Sequence, residues 1–394
     1  MHLTGTVLSF LVLSILFSCE TWGQANQKTK GKKRFLKGHS LKDPEDGAFD
    51  ISEMLEGRGG FAPLPIIITE PAVGYGGGLV ITYLRNNKSD SGENLPADAT
   101  GLAGFGTQNG SWGVAAFHSN YINQDRMRYL GGLLKANMNL DFYFQDLQGE
   151  KRPLEVGLDA WGVLQRILFR VGKSNLFIGP EYVFFQTQNT LNDFDPDTDI
   201  DPDFDITEIA ANVQVKSTLS LVGLLLDYDS RNSSYTPDTG ISTGLSTRYS
   251  AEFLGSDRAF WLINPYFIGY VPVSKRIFSG YRFKSNFGTG DLPFYAKPFV
   301  QMRGVPAAKY QGDITMQVET EWRGFVYRRW SLVGFAGTGK AFDSFDEFND
   351  ADWVYSYGGG FRYLLARKNK MHVGIDFAWS NEDFAFYLIF GSFW

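Results

Sequence analysis

The C-terminal run Phe384-Ala-Phe-Tyr-Leu-Ile-Phe-Gly-Ser-Phe-Trp394 constrains the fold more than any other feature. It is a strand-length stretch of apolar and aromatic residues that stops on tryptophan without a polar tail. In water such an end would be a sticky edge strand and an aggregation hazard. It makes sense as the last strand of a closed barrel whose outer face meets lipid. A terminal aromatic of this kind is also the usual address that outer-membrane proteins present to their assembly machinery. The expectation is an all-β fold, a transmembrane antiparallel β-barrel.

Composition agrees. No internal run reaches the ~18–20 apolar residues of a membrane helix. Aromatics make up 16% of 394 residues and glycines number 44, which suits aromatic girdles and closely packed strands. The net charge is −6, and nucleic acid is not expected as a partner. Val7 to Phe17 is an apolar segment of export-signal length. Two processing readings stay open: cleavage after Thr21-Trp22-Gly23, giving a signal over 1–23, or lipidation of Cys19 in Leu16-Phe17-Ser18-Cys19. Cys19 is the only cysteine, so no disulfide is expected.

Residues 24–62 read as a linker on the periplasmic side. Its first part is basic (Lys28, Lys30, Lys32, Lys33, Arg34, Lys37) and patternless, either a solubilising tether or a contact with anionic headgroups. A short helix is expected within Asp43 to Leu55, capped by Asp50 or Ser52. The linker is too short for a periplasmic domain of ordinary size.

From residue 63 to 394 the pattern is strands. In Gln311 to Arg323, Ile314, Met316, Val318, Thr320 and Trp322 alternate with Thr315, Gln317, Glu319, Glu321 and Arg323. Such alternation puts one set on lipid and a charged set in the lumen. Gly240 to Phe253 and Met371 to Trp379 alternate similarly, Asp376 falling on the inward set. Strands are expected near 64–70, 74–85, 98–107, 112–121, 128–140, 155–168, 175–187, 218–229, 240–253, 259–272, 276–288, 311–323, 330–340, 353–364, 371–380 and 384–394. The total is about sixteen, even as single-chain bacterial barrels require. With both termini periplasmic, the long outward loops are 188–217, 289–310 and 341–352; the segment 86–97 is long for a periplasmic turn.

Three segments carry a resemblance. Asp227-Tyr-Asp229-Ser-Arg231-Asn232, followed by Pro237 and Gly240, resembles an aspartate–x–arginine turn with a trailing proline and glycine. Gln301-Met302-Arg303-Gly304-Val305, with Gly312-Asp313 beyond, is similar to an arginine–glycine motif on a loop that folds back into the barrel. Glu321-Trp322-Arg323 and a glycine-rich Leu332 to Gly339 follow in order. The set resembles the BamA/TamA outer-membrane assembly barrels, the bacterial surface antigen family, in a short barrel-only form without periplasmic repeat modules. The resemblance implies outer-membrane biogenesis, the insertion or translocation of protein or lipid through a weak seam between first and last strands. Its expected partners are outer-membrane lipid, lipopolysaccharide, and unfolded outer-membrane clients or a periplasmic partner chain. Alternatives are a passive porin-like channel, or a structural or interaction barrel displaying acidic loops.

The loop motif also has a reading of its own. Arg303 keeps its charge, so inside a lumen it wants a carboxylate in fork geometry. Many relatives carry an aspartate two residues after a phenylalanine on the following strand; here Phe335 is followed by Ala336 and Gly337. The expected partner is therefore Glu321, with Glu319 second. At the seam, Ile66, Ile67 and Ile68 lie in a short first strand with Pro63 and Pro65, which cannot donate ladder bonds. Gly391 sits where relatives bend the last strand inward, ahead of Phe393 and Trp394. The seam is either ordinarily closed with a frayed end or able to part. Seven aspartates alternate over 193–205; Asp197, Asp199 and Asp201 are weak calcium candidates in what reads as a solvated acidic loop. The four histidines are scattered and no serine–histidine–carboxylate set is evident, so neither a cofactor nor catalysis is expected.

Overall fold

The computed structural model describes residues 41–52, 60–70, 72–88, 94–145, 151–192, 216–381 and 383–394. The export segment with Cys19, the basic linker, and Asp197, Asp199 and Asp201 lie outside them. Among the described residues sixteen strands run in chain order: β1 (Gly60–Glu70), β2 (Gly74–Lys88), β3 (Asn94–Thr107), β4 (Trp112–Ile122), β5 (Met127–Gln145), β6 (Lys151–Arg170), β7 (Leu176–Leu191), β8 (Lys216–Asp229), β9 (Gly240–Ser250), β10 (Phe260–Pro272), β11 (Ile277–Gly290), β12 (Ile314–Tyr327), β13 (Trp330–Phe342), β14 (Val354–Ala366), β15 (Met371–Ser380) and β16 (Phe384–Phe390). Each pairs with the next in one antiparallel sheet. Among the described residues no hydrogen-bonded ladder joins β1 to β16. The barrel has two ends, one carrying both described termini (the terminal end) and the far end opposite.

Alternation explains the walls. On β12, Thr315, Gln317, Glu319 and Arg323 are buried inward while Val318 and Trp322 are exposed outward. The strand β5 shows why sequence pattern undershoots strand length. Its inner side stays apolar through Leu130, Leu134, Ala136, Met138, Leu140 and Phe142. Its outer side changes from Leu133 to Lys135, whose ammonium pairs with Asp159 on β6. β5 and β6 have 19 and 20 residues, where a membrane crossing needs about 9–11. The lipid-facing pattern stops, but the ladder continues.

Several expected boundaries move. β12 begins at Ile314 because residues 298–312 close a hairpin of their own, bridged at Phe299–Gln311, with Gly312 N–H donating to Pro298 C=O at 3.1 Å. β9 stops at Ser250, and Glu252–Leu254 forms a 3₁₀ turn. The segment 86–97 is mostly ladder, paired to Lys88–Asn94. Residues 43–49 form a turn closed by a Lys42–Phe49 bridge; Ser52 is helical, and the rest of the expected helix, 53–55, lies outside the described residues. Three carboxylates, Asp43, Asp46 and Asp50, gather there around the guanidinium of Arg329 from the β12–β13 turn, at 2.6–2.7 Å. The segment 41–52 is thus a strap across the terminal end. Asp50 also accepts from Ser52 N–H at 2.6 Å. Burial alone would raise the Asp50 carboxyl, but bonds from Ser52 and Arg329 hold it below the usual carboxylate range.

Candidate functional site

The β11–β12 loop, residues 291–313, enters the lumen and divides its inner wall. On one side, Val80, Ala103, Phe117, Leu134, Leu140 and Leu158, from β2 to β6, form a continuous apolar surface. Phe294 meets Phe142 edge-on at 4.8 Å, and Tyr295 meets Phe185 at 6.1 Å. On the other side, β11 to β15 present charged and amide groups. Gln301 exchanges bonds with Gln317, its N–H donating to Oε1 at 2.8 Å and its carbonyl accepting from Nε2 at 2.6 Å. The apolar wall holds the loop's aromatics and the polar wall fixes its register.

Arg303, at the tip, is 0% exposed. Its NH1 lies 2.7 Å from Glu321 Oε2 and 2.8 Å from Asp376 Oδ2. The Asp376 contact is an aligned hydrogen bond; the Glu321 contact is a charge contact, with that oxygen making no aligned bond. The guanidinium lies over Phe335 at 3.5 Å and near Phe393 at 4.8 Å. One nitrogen therefore serves two carboxylates while the plane stacks on an aromatic ring. The expected fork belongs instead to Arg362, which grips Asp376 with NH1 to Oδ1 at 2.6 Å and NH2 to Oδ2 at 2.8 Å. Glu319, the second expected partner, pairs with Arg282. Arg303 C=O accepts from Ser356 Oγ at 2.6 Å. Gly304 has φ +80°, and a Cβ there would stand 3.2 Å from Ala378, so only glycine lets the tip lie flat on β15.

The tip also touches both sides of the seam. Gly304 N–H donates to Tyr387 Oη on β16 at 2.9 Å, and Ala307 N–H donates to Glu70 Oε1 at the end of β1 at 3.3 Å. Lys309 pairs with Asp383, beside β16, at 2.7 Å. Tyr75 on β2 stacks with Phe386 on β16 at 5.8 Å. Ile66 and Ile68 pack on the inner apolar surface and Ile67 faces outward. β1 pairs with β2 along its whole length, so Pro63 and Pro65 turn their donorless nitrogens to the seam. Sequence reasoning missed Asp376 as a partner, and Tyr387, Glu70 and Lys309 altogether. Alternation had placed Asp376 on an inward face; which inward groups meet across the lumen depends on barrel closure.

The last strand does not carry its aromatic end to lipid. Gly391, at φ +97°, turns the chain, with a Cβ excluded by Tyr235 C=O at 2.6 Å. Ser392 N–H donates to Tyr235 C=O at 2.7 Å. Phe393 then reaches Arg303, and Trp394, 8% exposed, packs on Tyr270 of β10, whose hydroxyl donates to the Trp394 carbonyl. Phe393 and Trp394 thus leave the seam for the lumen. The aspartate–x–arginine turn joins them. Arg231 grips Asp229 at 2.9 and 3.0 Å, Pro237 is buried, and Gly240 opens β9. The turn crosses the terminal end, where Asp238 meets Arg323 at 2.5 Å and Lys370 at 2.6 Å.

A loop drawn inside and end strands that no ladder joins among the described residues define the class of fold, an antiparallel β-barrel with an occupied lumen. Residues 113–303 match the model of the Omp85 superfamily domain, from β4 as far as Arg303. The chain is similar in fold to BamA from Haemophilus ducreyi lacking POTRA domains 1-3, at TM-score 0.57 and 14% identity over 85% of this chain and 70% of that one. CdiB from Acinetobacter baumannii gives 0.53 and 11% over 84% and 59%. CdiB from Escherichia coli gives 0.55 and 9% over 83% and 61%. The chain thus spans about three fifths of the CdiB chains. No curated protein matches it.

Proposed function

We propose that this barrel inserts or translocates protein or lipid at the outer membrane through the β1–β16 seam, opening as the loop tip withdraws. The observation that carries the reading is the seam itself: among the described residues no ladder closes it, and the tip contacts Glu70 on one side and Tyr387 and Asp383 on the other. Unpaired strand edges are templates for another strand, and withdrawal of the tip would free both at once. Unfolded outer-membrane proteins are the clients that such an edge suits best; a periplasmic partner chain would deliver them. Arg303, Glu321 and Asp376 act as the latch holding the closed state, while Asp229 and Arg231 brace the terminal end.

A cysteine pair replacing Tyr75 and Phe386 tests this. In a strain depleted of the native protein, the pair under reducing conditions should restore outer-membrane protein and lipopolysaccharide levels, and oxidation should abolish the rescue. Full rescue by the oxidised, crosslinked barrel would exclude a moving seam.

A further inference from the structure

We propose that the terminal end of the barrel is a binding surface for the anionic headgroups of a glycerophospholipid leaflet. Five turns at that end carry exposed cations: Arg367, paired with Glu45, and Lys368 after β14, and then Arg126 after β4, Lys173 after β6, Lys275 and Arg276 after β10, and Arg328 after β12. None of the last five sits in an ion pair among the described residues. The turns of these five hold one carboxylate, Asp125, which is buried and bound by Arg128 and Arg170; the exposed carboxylates of this end are Glu45 and Asp46 on the strap, which face Arg367 and Arg329.

Each of those five cations stands beside exposed apolar groups on the outer wall. Arg126 follows Ile122; Lys173 lies between Phe169 and Val171 and the start of β7; Lys275 and Arg276 lie between Val273 and Ile277; Arg328 is flanked by Tyr327 and Trp330. The Arg328 guanidinium lies over the Tyr327 ring at 5.3 Å. An apolar band edged by cations fits acyl chains below a layer of phosphates. The far end is opposite in sign. Glu252, Asp257, Asp291, Asp343, Asp346, Glu347, Asp350 and Asp352 are exposed there, against Lys216 as the exposed cation among the described residues. Carboxylates at that density repel the phosphates of lipopolysaccharide unless divalent cations intervene. The charge axis therefore sets the barrel's direction, terminal end toward the phospholipid leaflet.

The test is native mass spectrometry of the full chain released from mixed phosphatidylglycerol and phosphatidylethanolamine, with a variant carrying K173Q, K275Q, R276Q and R328Q. Wild type should retain phosphatidylglycerol selectively. The variant should lose that preference by roughly fivefold per cation removed, while still showing the gel shift on heating that marks a folded barrel. A variant that is folded and equally selective, or wild type that retains phosphatidylglycerol no better than phosphatidylethanolamine, overturns the proposal. Cysteine labelling of intact cells with an impermeant maleimide checks direction: Asn349→Cys should react and Ser174→Cys should not. Reaction at 174 from outside overturns it equally.

Discussion

Arg303 shows what a single side chain settles. Its plane lies on Phe335, and one nitrogen is shared between Asp376 and Glu321. Arg303→Ala leaves Asp376 still forked by Arg362, and strands Glu321. The expected cost is about 3 kcal/mol, the scale for breaking a buried pair from one side. It should appear as a lowered unfolding midpoint and as new protease cuts within 291–313, with membrane insertion preserved. A double-mutant cycle should give stronger coupling of Arg303 to Asp376 than to Glu321; coupling near zero to both would show that the loop is held by its aromatics alone. Arg303→Lys keeps a nitrogen for the carboxylates but loses the flat stacking, worth about 1–2 kcal/mol. Phe335→Leu should reproduce that partial defect. Of this site, Arg303 and Glu321 were readable from the sequence, because an arginine on a long loop and a glutamate on an alternating strand each announce an inward direction. Asp376 was readable only as inward-facing. Its meeting with Arg303, 73 residues away in sequence, follows from the curvature of the whole sheet, which local pattern does not encode.

Among elements, the strap and the tail are the two that sequence pattern could not place. The strap depends on Arg329 and its carboxylates. Asp46 is held below the usual range by its bond from Arg329, and Asp50 by bonds from Ser52 and Arg329 against the opposing effect of burial. Groups whose folded value is depressed stabilise above their unfolded value and lose that contribution as pH falls through the folded one. The strap should therefore stay docked at neutral pH and loosen below about pH 4, seen as faster hydrogen exchange over 41–52. Arg329→Ala should loosen it at every pH. The tail should be equally sensitive: deleting Phe393 and Trp394 removes a ring from Arg303 and the partner of Tyr270, and should abolish or sharply lower surface levels of the folded barrel. Normal levels would show that β16 closes without them. The strands were legible because period-two alternation survives through long parts of them, as in β4 and β15. Their ends were not, for two physical reasons. Outer faces turn polar where β5 and β6 extend past the lipid, as at Lys135 and Asp159. Glycines such as Gly391 redirect the backbone without changing the apolar pattern around them.

At the scale of the molecule, the barrel is asymmetric twice over. Its ends differ in charge, and its interior has an apolar wall from β2 to β6 facing a polar wall from β11 to β15, with the loop lodged between them. This second asymmetry bears on how water behaves inside. Ions cross a pore when polar groups replace their hydration shell along the way, and an apolar stretch breaks the water column by dewetting. Between Leu134, Leu140, Leu158 and the loop's own Phe294 and Phe299 there is little to hold such a column. The wild-type protein in a planar bilayer should therefore give a quiet baseline, and Arg303→Ala, by letting the loop swing out, should add frequent large current steps. Steady porin-like current from wild type would contradict this. In electrical terms the barrel at rest should behave as an insulator, and its loop is the part that would have to leave for it to become anything else.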